Sequence, residues 1–117
     1  MVSLIRAALS ALVLGVLSTT AAAQAVLTVP EGLVRGQDIT ITYSDPSKAG
    51  STITVEIDNC AFPNPVVVTK TITLDAQGKG SCTWKVAAWD GARFNAPDAV
   101  EVTRPISNHA PQPKRTL

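Results

Sequence analysis

The chain has 117 residues, with ten Lys and Arg against nine Asp and Glu, one His and two Cys. That length holds one domain around a single modest core. Its near-balanced charge has no basic cluster, so it lacks the Lys and Arg contacts that phosphate backbones require, and no nucleic-acid partner is expected.

The first element in chain order is MVSLIRAALSALVLGVLSTTAAAQA. Arg6 supplies a positive start, Ala7 to Leu17 an apolar stretch, and Ala21-Ala22-Ala23 the small residues that suit a cleavage site. This reads as a secretory signal peptide over residues 1–23 with Gln24 as the mature N-terminus; a cut before Val26 is the other choice. The apolar run is shorter than the about 18–20 residues that cross a bilayer, so no stable membrane insertion is expected after cleavage. No Cys at the cut offers a lipid attachment point, and no paired Arg suggests export of a folded precursor. The expected location is the periplasm, the cell surface or the extracellular space. Loss of Arg6 with the leader leaves nine basic residues against nine acidic ones, so the mature chain is formally neutral.

From residue 25 the dominant period is two, and Val, Ile and Thr fill nearly every run. AVLTV (25–29) predicts a first short strand. GQDITITYSD alternates Ile39, Ile41 and Tyr43 with Thr40, Thr42 and Ser44, and STITVEIDN alternates Ile53, Val55 and Ile57 with Thr52, Thr54, Glu56 and Asp58. Each predicts a half-buried strand. Between them SDPSKAG, with Pro46 and Gly50, predicts a turn. VVVTKTITLDAQGKGSCTWKV (66–86) predicts a β-hairpin turning at DAQGKG, where Gly78 and Gly80 can take positive φ. Lys70 interrupts the apolar parity and predicts a bend, bulge or edge, or a passage of the chain between sheets. AVEVTRPI (99–106) closes the set.

About seven short strands with Gly and Pro turns predict an all-β, two-sheet antiparallel sandwich over residues 24–106, with a flexible Pro-rich tail at 107–117. The chain resembles the bacterial immunoglobulin-like domains of exported and cell-surface proteins. The residues that carry the resemblance are Gly36 before Ile39-Thr40-Ile41-Thr42-Tyr43, Gly50 before Thr52-Ile53-Thr54-Val55, and the turn Thr73-Leu74-Asp75-Ala76-Gln77-Gly78. It covers roughly residues 26–106 and implies a fold, not an activity. Antibody domains place a Trp between two cysteines far apart in sequence, whereas here 21 residues separate Cys60 from Cys82 and Trp84 follows the second.

In an exported chain Cys60 and Cys82 read as a structural disulfide between the end of the strand 52–58 and the start of the strand 81–87, worth about 3 kcal/mol by loop closure. A reactive or intermolecular thiol is the alternative. No C-x-x-C points to redox chemistry, and two cysteines with the distant His109 make a poor zinc site. Cys82, Trp84 and Val86 share one side of a strand, which places Trp84 in the core. Trp89 has the opposite parity. It either caps the open end of the sandwich or forms an aromatic platform with Phe94 or Tyr43, suited to a sugar ring or a partner side chain. In the loop DNCAFPNPV (58–66), Phe62 lies between a cysteine and two prolines. The favoured expectation is that Phe62 tucks over the core edge; the alternative is a stiff loop that presents it to a partner.

No catalytic set is expected. His109 lies in the tail, away from any nucleophile. Glu56 and Asp58 form the one i, i+2 carboxylate pair on a strand face, and that face reads as solvated. Asp45, Asp58, Asp75, Asp90 and Asp98 fall at strand ends without the spacing of a calcium loop. No metal or cofactor is expected. The function expected is an exported, non-catalytic module with a structural or protein-interaction role and a protein partner. Polysaccharide binding through Trp89 and enzyme inhibition through the Phe62 loop are the alternatives.

Overall fold

The structure, a computed structural model, describes residues 25–109. The expected leader and the last part of the expected tail lie outside the described residues.

Eight strands follow one another: β1 (Val26–Thr28), β2 (Leu33–Val34), β3 (Asp38–Ser44), β4 (Thr52–Asp58), β5 (Val67–Thr73), β6 (Lys79–Lys85), β7 (Gly91–Asn95) and β8 (Val102–Ser107). A single 3-10 turn, Pro46–Lys48, joins β3 to β4. The strands form two sheets, one ordered β1-β3-β6 and the other β2-β8-β7-β4-β5.

The alternation read in β3 and β4 holds residue by residue. Ile39, Ile41 and Tyr43 are buried while Thr40 and Thr42 are exposed, and Ile53, Val55 and Ile57 are buried while Thr52, Thr54 and Glu56 are exposed. Because the pleat sends successive side chains to opposite faces, each sheet has one apolar face to bury against the other. Ile72, Trp84, Val86, Ala92, Phe94 and Ile106 complete the layer between them. Each Val, Leu, Ile or Phe so buried contributes about 1.5–3 kcal/mol. Trp84 sits among aromatic neighbours, its ring centroid 5.7 Å from that of Phe94 in an edge-on arrangement and 5.5 Å from that of Trp89. These separations fall in the favourable range for aromatic pairs.

Several expectations are corrected. The segment 66–86 is not a hairpin: β5 pairs with β4, β6 pairs with β3, and the two lie in different sheets. Each match runs for seven residue pairs, so a continuous ladder holds each strand and the turn between them serves as a crossing. The sandwich is not wholly antiparallel, because β2 runs parallel to β8 over Leu33↔Ile106 and Val34↔Ser107. The stretch around AVLTV continues across Pro30 and Gly32, so β1 joins one sheet and β2 the other. Strand β7 was not among the runs read from the sequence, since GARFN offers only Ala92 and Phe94 as apolar residues. β8 extends through Ser107, whose carbonyl accepts from the Arg35 N–H at 3.0 Å, so the tail begins after it. At Lys70 the ladder continues without a bulge. β5 is instead the sheet's edge, with Lys70 on the inward parity between Val68 and Ile72. An inward charge on an edge strand discourages pairing with another chain.

Candidate functional site

β4 ends at Asp58, which is buried rather than part of the solvated face expected for it with Glu56. One carboxylate oxygen accepts from the Cys60 N–H at 2.9 Å, and the other accepts from Arg93 Nε at 3.1 Å. Arg93 also reaches Glu101 at 3.2 Å. The Asp58 hydrogen bond and charge, with Glu101 behind them, hold the guanidinium above its ordinary pKa.

From this anchored base the chain makes a loop that Asn59 closes. The Asn59 side-chain oxygen accepts from the N–H groups of Ala61 at 3.1 Å and Val66 at 3.0 Å, and the Asn59 N–H donates to the Val66 carbonyl at 3.2 Å. Inside the loop Pro63 and Pro65 fix their own φ and offer no N–H donor. Phe62 stands at its outer part and is 95% exposed, with Val66 and Val67 also exposed where the loop returns to β5. The tucked position expected for Phe62 is therefore not adopted: the loop closes on Asn59 and leaves the ring off the core.

Cys60 is exposed at the base of this loop, with a left-handed φ of +62°. Cys82 is half-buried in the middle of β6, opposite Ile41. Both stand as free thiols in this structure. Cys60 lies past the end of a strand, whereas Cys82 faces inward from the other sheet. Burial pushes the Cys82 thiol above its ordinary pKa, with the Lys70 charge opposing.

The four aromatic or loop residues singled out in the sequence do not converge. Trp89 is half-buried against Trp84 and caps the end of the sandwich beside the Phe62 loop. Its carbonyl accepts from Arg35 Nε at 3.1 Å, and Arg35 Nη2 pairs with Asp90 at 2.7 Å. Phe94 and Tyr43, the proposed companions of a platform, are 0% and 1% exposed and are core residues. Tyr43 turns its hydroxyl to the Pro97 carbonyl at 2.6 Å, near the opposite end of the sandwich. No aromatic platform exists among these three, because inward parity carries both Tyr43 and Phe94 into the core.

Two hollows border these residues. One of about 560 Å³ is lined by Trp89, Asn59, Cys60, Ala61, Asp90 and Gly91. A broader one of about 610 Å³ lies on the outer face of the three-stranded sheet, over Thr28, Thr42, Ser44 and Ser81. Its carboxylate, Asp75, accepts from the N–H groups of Gln77 at 2.8 Å and Lys79 at 2.9 Å. Those bonds, Lys79 first, hold the carboxyl below its usual range, so it serves the turn. Among the described residues no group of three or more His, Cys, Asp or Glu is placed to hold a metal, and no helix is long and apolar enough to cross a membrane.

What reading the sequence missed is the role of Asn59 and the grouping of Asp58, read only as part of a strand face and a strand end, with Arg93 and Glu101 as a trio. Asn59 carried a signal, since Asn before a loop commonly accepts from the backbone two residues on. The trio carried none, because its members meet only through the pairing of β4, β7 and β8. Comparison with family models, with curated proteins and with solved structures finds no match to this chain.

Proposed function

We propose that this chain is an exported, non-catalytic immunoglobulin-like module that acts as a structural or protein-interaction element at the periplasm or cell surface, with the loop 59–66 as its contact. The observation that carries the reading is Phe62, 95% exposed on a loop that Asn59 and two prolines hold in shape. An exposed aromatic on a braced loop loses little conformational freedom on binding, which is the economy of an anchor residue. The strand order supports the immunoglobulin-like assignment: the first, third and sixth strands face a sheet in which the eighth, seventh and fourth are neighbours, as A, B and E face G, F and C. The leader read in residues 1–23 supports export.

The test is the native size of the protein gently extracted from its source cells, beside a Phe62→Ser variant. The reading expects the wild-type chain in a species larger than the mature monomer and the variant as a monomer. A monomeric wild type, or a variant that keeps its place in the larger species, overturns it.

Polysaccharide binding keeps one specific support, the hollow where Trp89 meets Asn59 and Asp90. It expects Trp89→Ala to abolish retention on an insoluble polysaccharide while thermal unfolding stays cooperative.

A further inference from the structure

Each sheet ends in two edge strands, β1 and β6 in one and β2 and β5 in the other. Three of these are poor templates for another chain: β1 has three residues, β2 has two, and β5 turns the Lys70 charge inward. β6 differs from all of them. It has seven residues, runs in unbroken register against β3, and carries only Gly80, Cys82 and Trp84 on its inward parity.

The register shows which backbone groups of β6 are open. In an antiparallel ladder alternate residues bond to a given neighbour. The Gly78 carbonyl accepts from the Asp45 N–H and the Val86 N–H donates to the Gln37 carbonyl, both at 2.8 Å, so the even-numbered residues of β6 face β3. The odd-numbered residues point their N–H and C=O groups away from it. Those of Lys79 are held by Asp75, whose N–H donates to the Lys79 carbonyl and whose carboxylate accepts from the Lys79 N–H, both at 2.9 Å. Ser81, Thr83 and Lys85 remain, and no other described residue is hydrogen-bonded to their six backbone groups. Between them Cys82 faces inward but is only half-buried, whereas Trp84 on the same parity is buried.

We propose that a second copy of this chain pairs with this edge, β6 against β6, antiparallel and centred on Thr83. The open run is its own complement in that register. Ser81 stands opposite Lys85 of the second copy, Thr83 opposite Thr83, and Lys85 opposite Ser81, so all six groups of each chain exchange bonds. The other two-fold registers fail on observed contacts or on charge. Centring on Ser81 or Cys82 calls on Lys79, whose groups Asp75 holds. Centring on Trp84 carries Ser81 past the end of the strand, and centring on Lys85 sets two like charges face to face. In the register on Thr83 the Thr pair is a favourable one, no like charges stand directly opposite, and Lys85 keeps its own Asp38 at 3.4 Å. On the inward side Trp84 of the second copy comes opposite Cys82 and covers the open flank of its sulfur.

The contact is isologous, so it closes at two copies and joins the three-stranded sheets as β1-β3-β6-β6-β3-β1. Three rungs bury less than the about 1,200 Å² of a stable interface, so the dimer forms at high concentration and opens at the dilution of a cell extract. The pairing is independent of the Phe62 loop as a contact, and the two strands run oppositely, so the dimer carries its two loops apart.

The experiment is sedimentation velocity of the purified chain without residues 1–23, from micromolar to millimolar concentration, beside amide exchange. Its variants are Ser81→Glu, Ser81→Lys, Thr83→Pro and Phe62→Ser, each checked for folding by circular dichroism. The wild type is expected to reach a dimer and stop there, with exchange at Ser81, Thr83 and Lys85 slowing as it forms. Ser81→Glu faces Lys85 of the second copy twice per dimer and is expected to tighten it on the order of tenfold, and Ser81→Lys to weaken it by a similar factor. Thr83→Pro removes a donor that points away from β3 and is expected to leave a folded monomer. Phe62→Ser is expected to dimerise as the wild type does. A wild type that is monomeric at millimolar concentration overturns the proposal and leaves the edge to a strand of another protein. A mass that climbs past the dimer, two Ser81 variants that act alike, or unchanged exchange at the three amides overturns it as well. Loss of the dimer in Phe62→Ser would assign self-association to the loop, so this pairing would fail while the loop's role as a contact stands.

Discussion

Asn59 places three hydrogen bonds across the mouth of a loop whose interior, Pro63 and Pro65 included, supplies little backbone bonding of its own. Replacing it with Ala removes the two bonds of its side chain. Net hydrogen bonds are worth about 0.5–1.5 kcal/mol each, and at this exposed site water replaces part of that. Asn59→Ala is expected to lower global stability by about 1 kcal/mol or less in urea unfolding, while amide exchange at Ala61 and Val66 accelerates. Unchanged exchange there would mean that the prolines alone order the loop. The thiols give a second test at this scale. Cys60 is exposed, and Cys82 is half-buried with its thiol pKa pushed up by burial, which lowers its thiolate fraction. A maleimide is expected to label Cys60 in the native protein and to reach Cys82 only on unfolding. A native and denatured chain that reacts at neither site until a reductant is added would show that the two are bridged in the exported protein.

The turn between β5 and β6 is an element whose job depends on one glycine. Gly78 takes φ of +80°, its carbonyl accepts from the Asp45 N–H at 2.8 Å, and a Cβ there would overlap the Asp45 carbonyl. Gly50 takes a similar φ of +79°, but a Cβ on it would meet nothing. Left-handed strain on a non-glycine residue costs about 1–3 kcal/mol, so Gly50→Ala is expected to show that cost alone and Gly78→Ala a larger one in urea unfolding. Equal losses would mean that the turn shifts away from Asp45 freely. The same turn marks the limit of what periodicity conveys. Alternation in Ile39 to Tyr43, Ile53 to Ile57 and Cys82 to Val86 was enough to place each strand and its inner face, because inward parity is a local property. Which strands pair is not local: a strand, a Gly turn and a strand look alike whether the chain folds back beside itself or crosses to the facing sheet. β7 was illegible because a strand buried through only Ala92 and Phe94 leaves too short a pattern. Phe62 misled in the opposite way, since an aromatic residue in a small domain argues for burial, and only the closure of the loop on Asn59 leaves it outside.

Across the whole molecule, ionised side chains clip the connections to the sandwich, and their titration sets the pH range over which it is stable. Asp45, buried at the end of β3, accepts from the Ser47 hydroxyl at 2.7 Å and the Ser47 N–H at 3.0 Å, with Lys48 at 3.5 Å. The Ser47 bonds lead in holding its carboxyl below the usual range, against the desolvation that would raise it. Asp75 is lowered by the N–H groups of Lys79 and Gln77. A carboxyl whose folded pKa lies below its unfolded value of about 4 leaves the unfolded chain holding more protons as the solution is acidified. The stability that Asp45 and Asp75 contribute is therefore complete above that unfolded value and lost as pH falls through the depressed folded values. On the alkaline side the signs reverse. Lys48, raised chiefly by its hydrogen bond to Asp98, and Tyr43, raised chiefly by burial, both keep the folded chain more protonated than the unfolded one above about pH 10, so stability falls there as well. Tm is expected to be level between these limits and to decline beyond each. The paired substitution Asp45→Asn with Asp75→Asn is expected to lower Tm at neutral pH and to flatten the acid limb, since the groups that lose their charge there are gone. An acid limb as steep as the wild type's would assign the acid loss to carboxylates other than the two that hold the ends of β3 and β5 together.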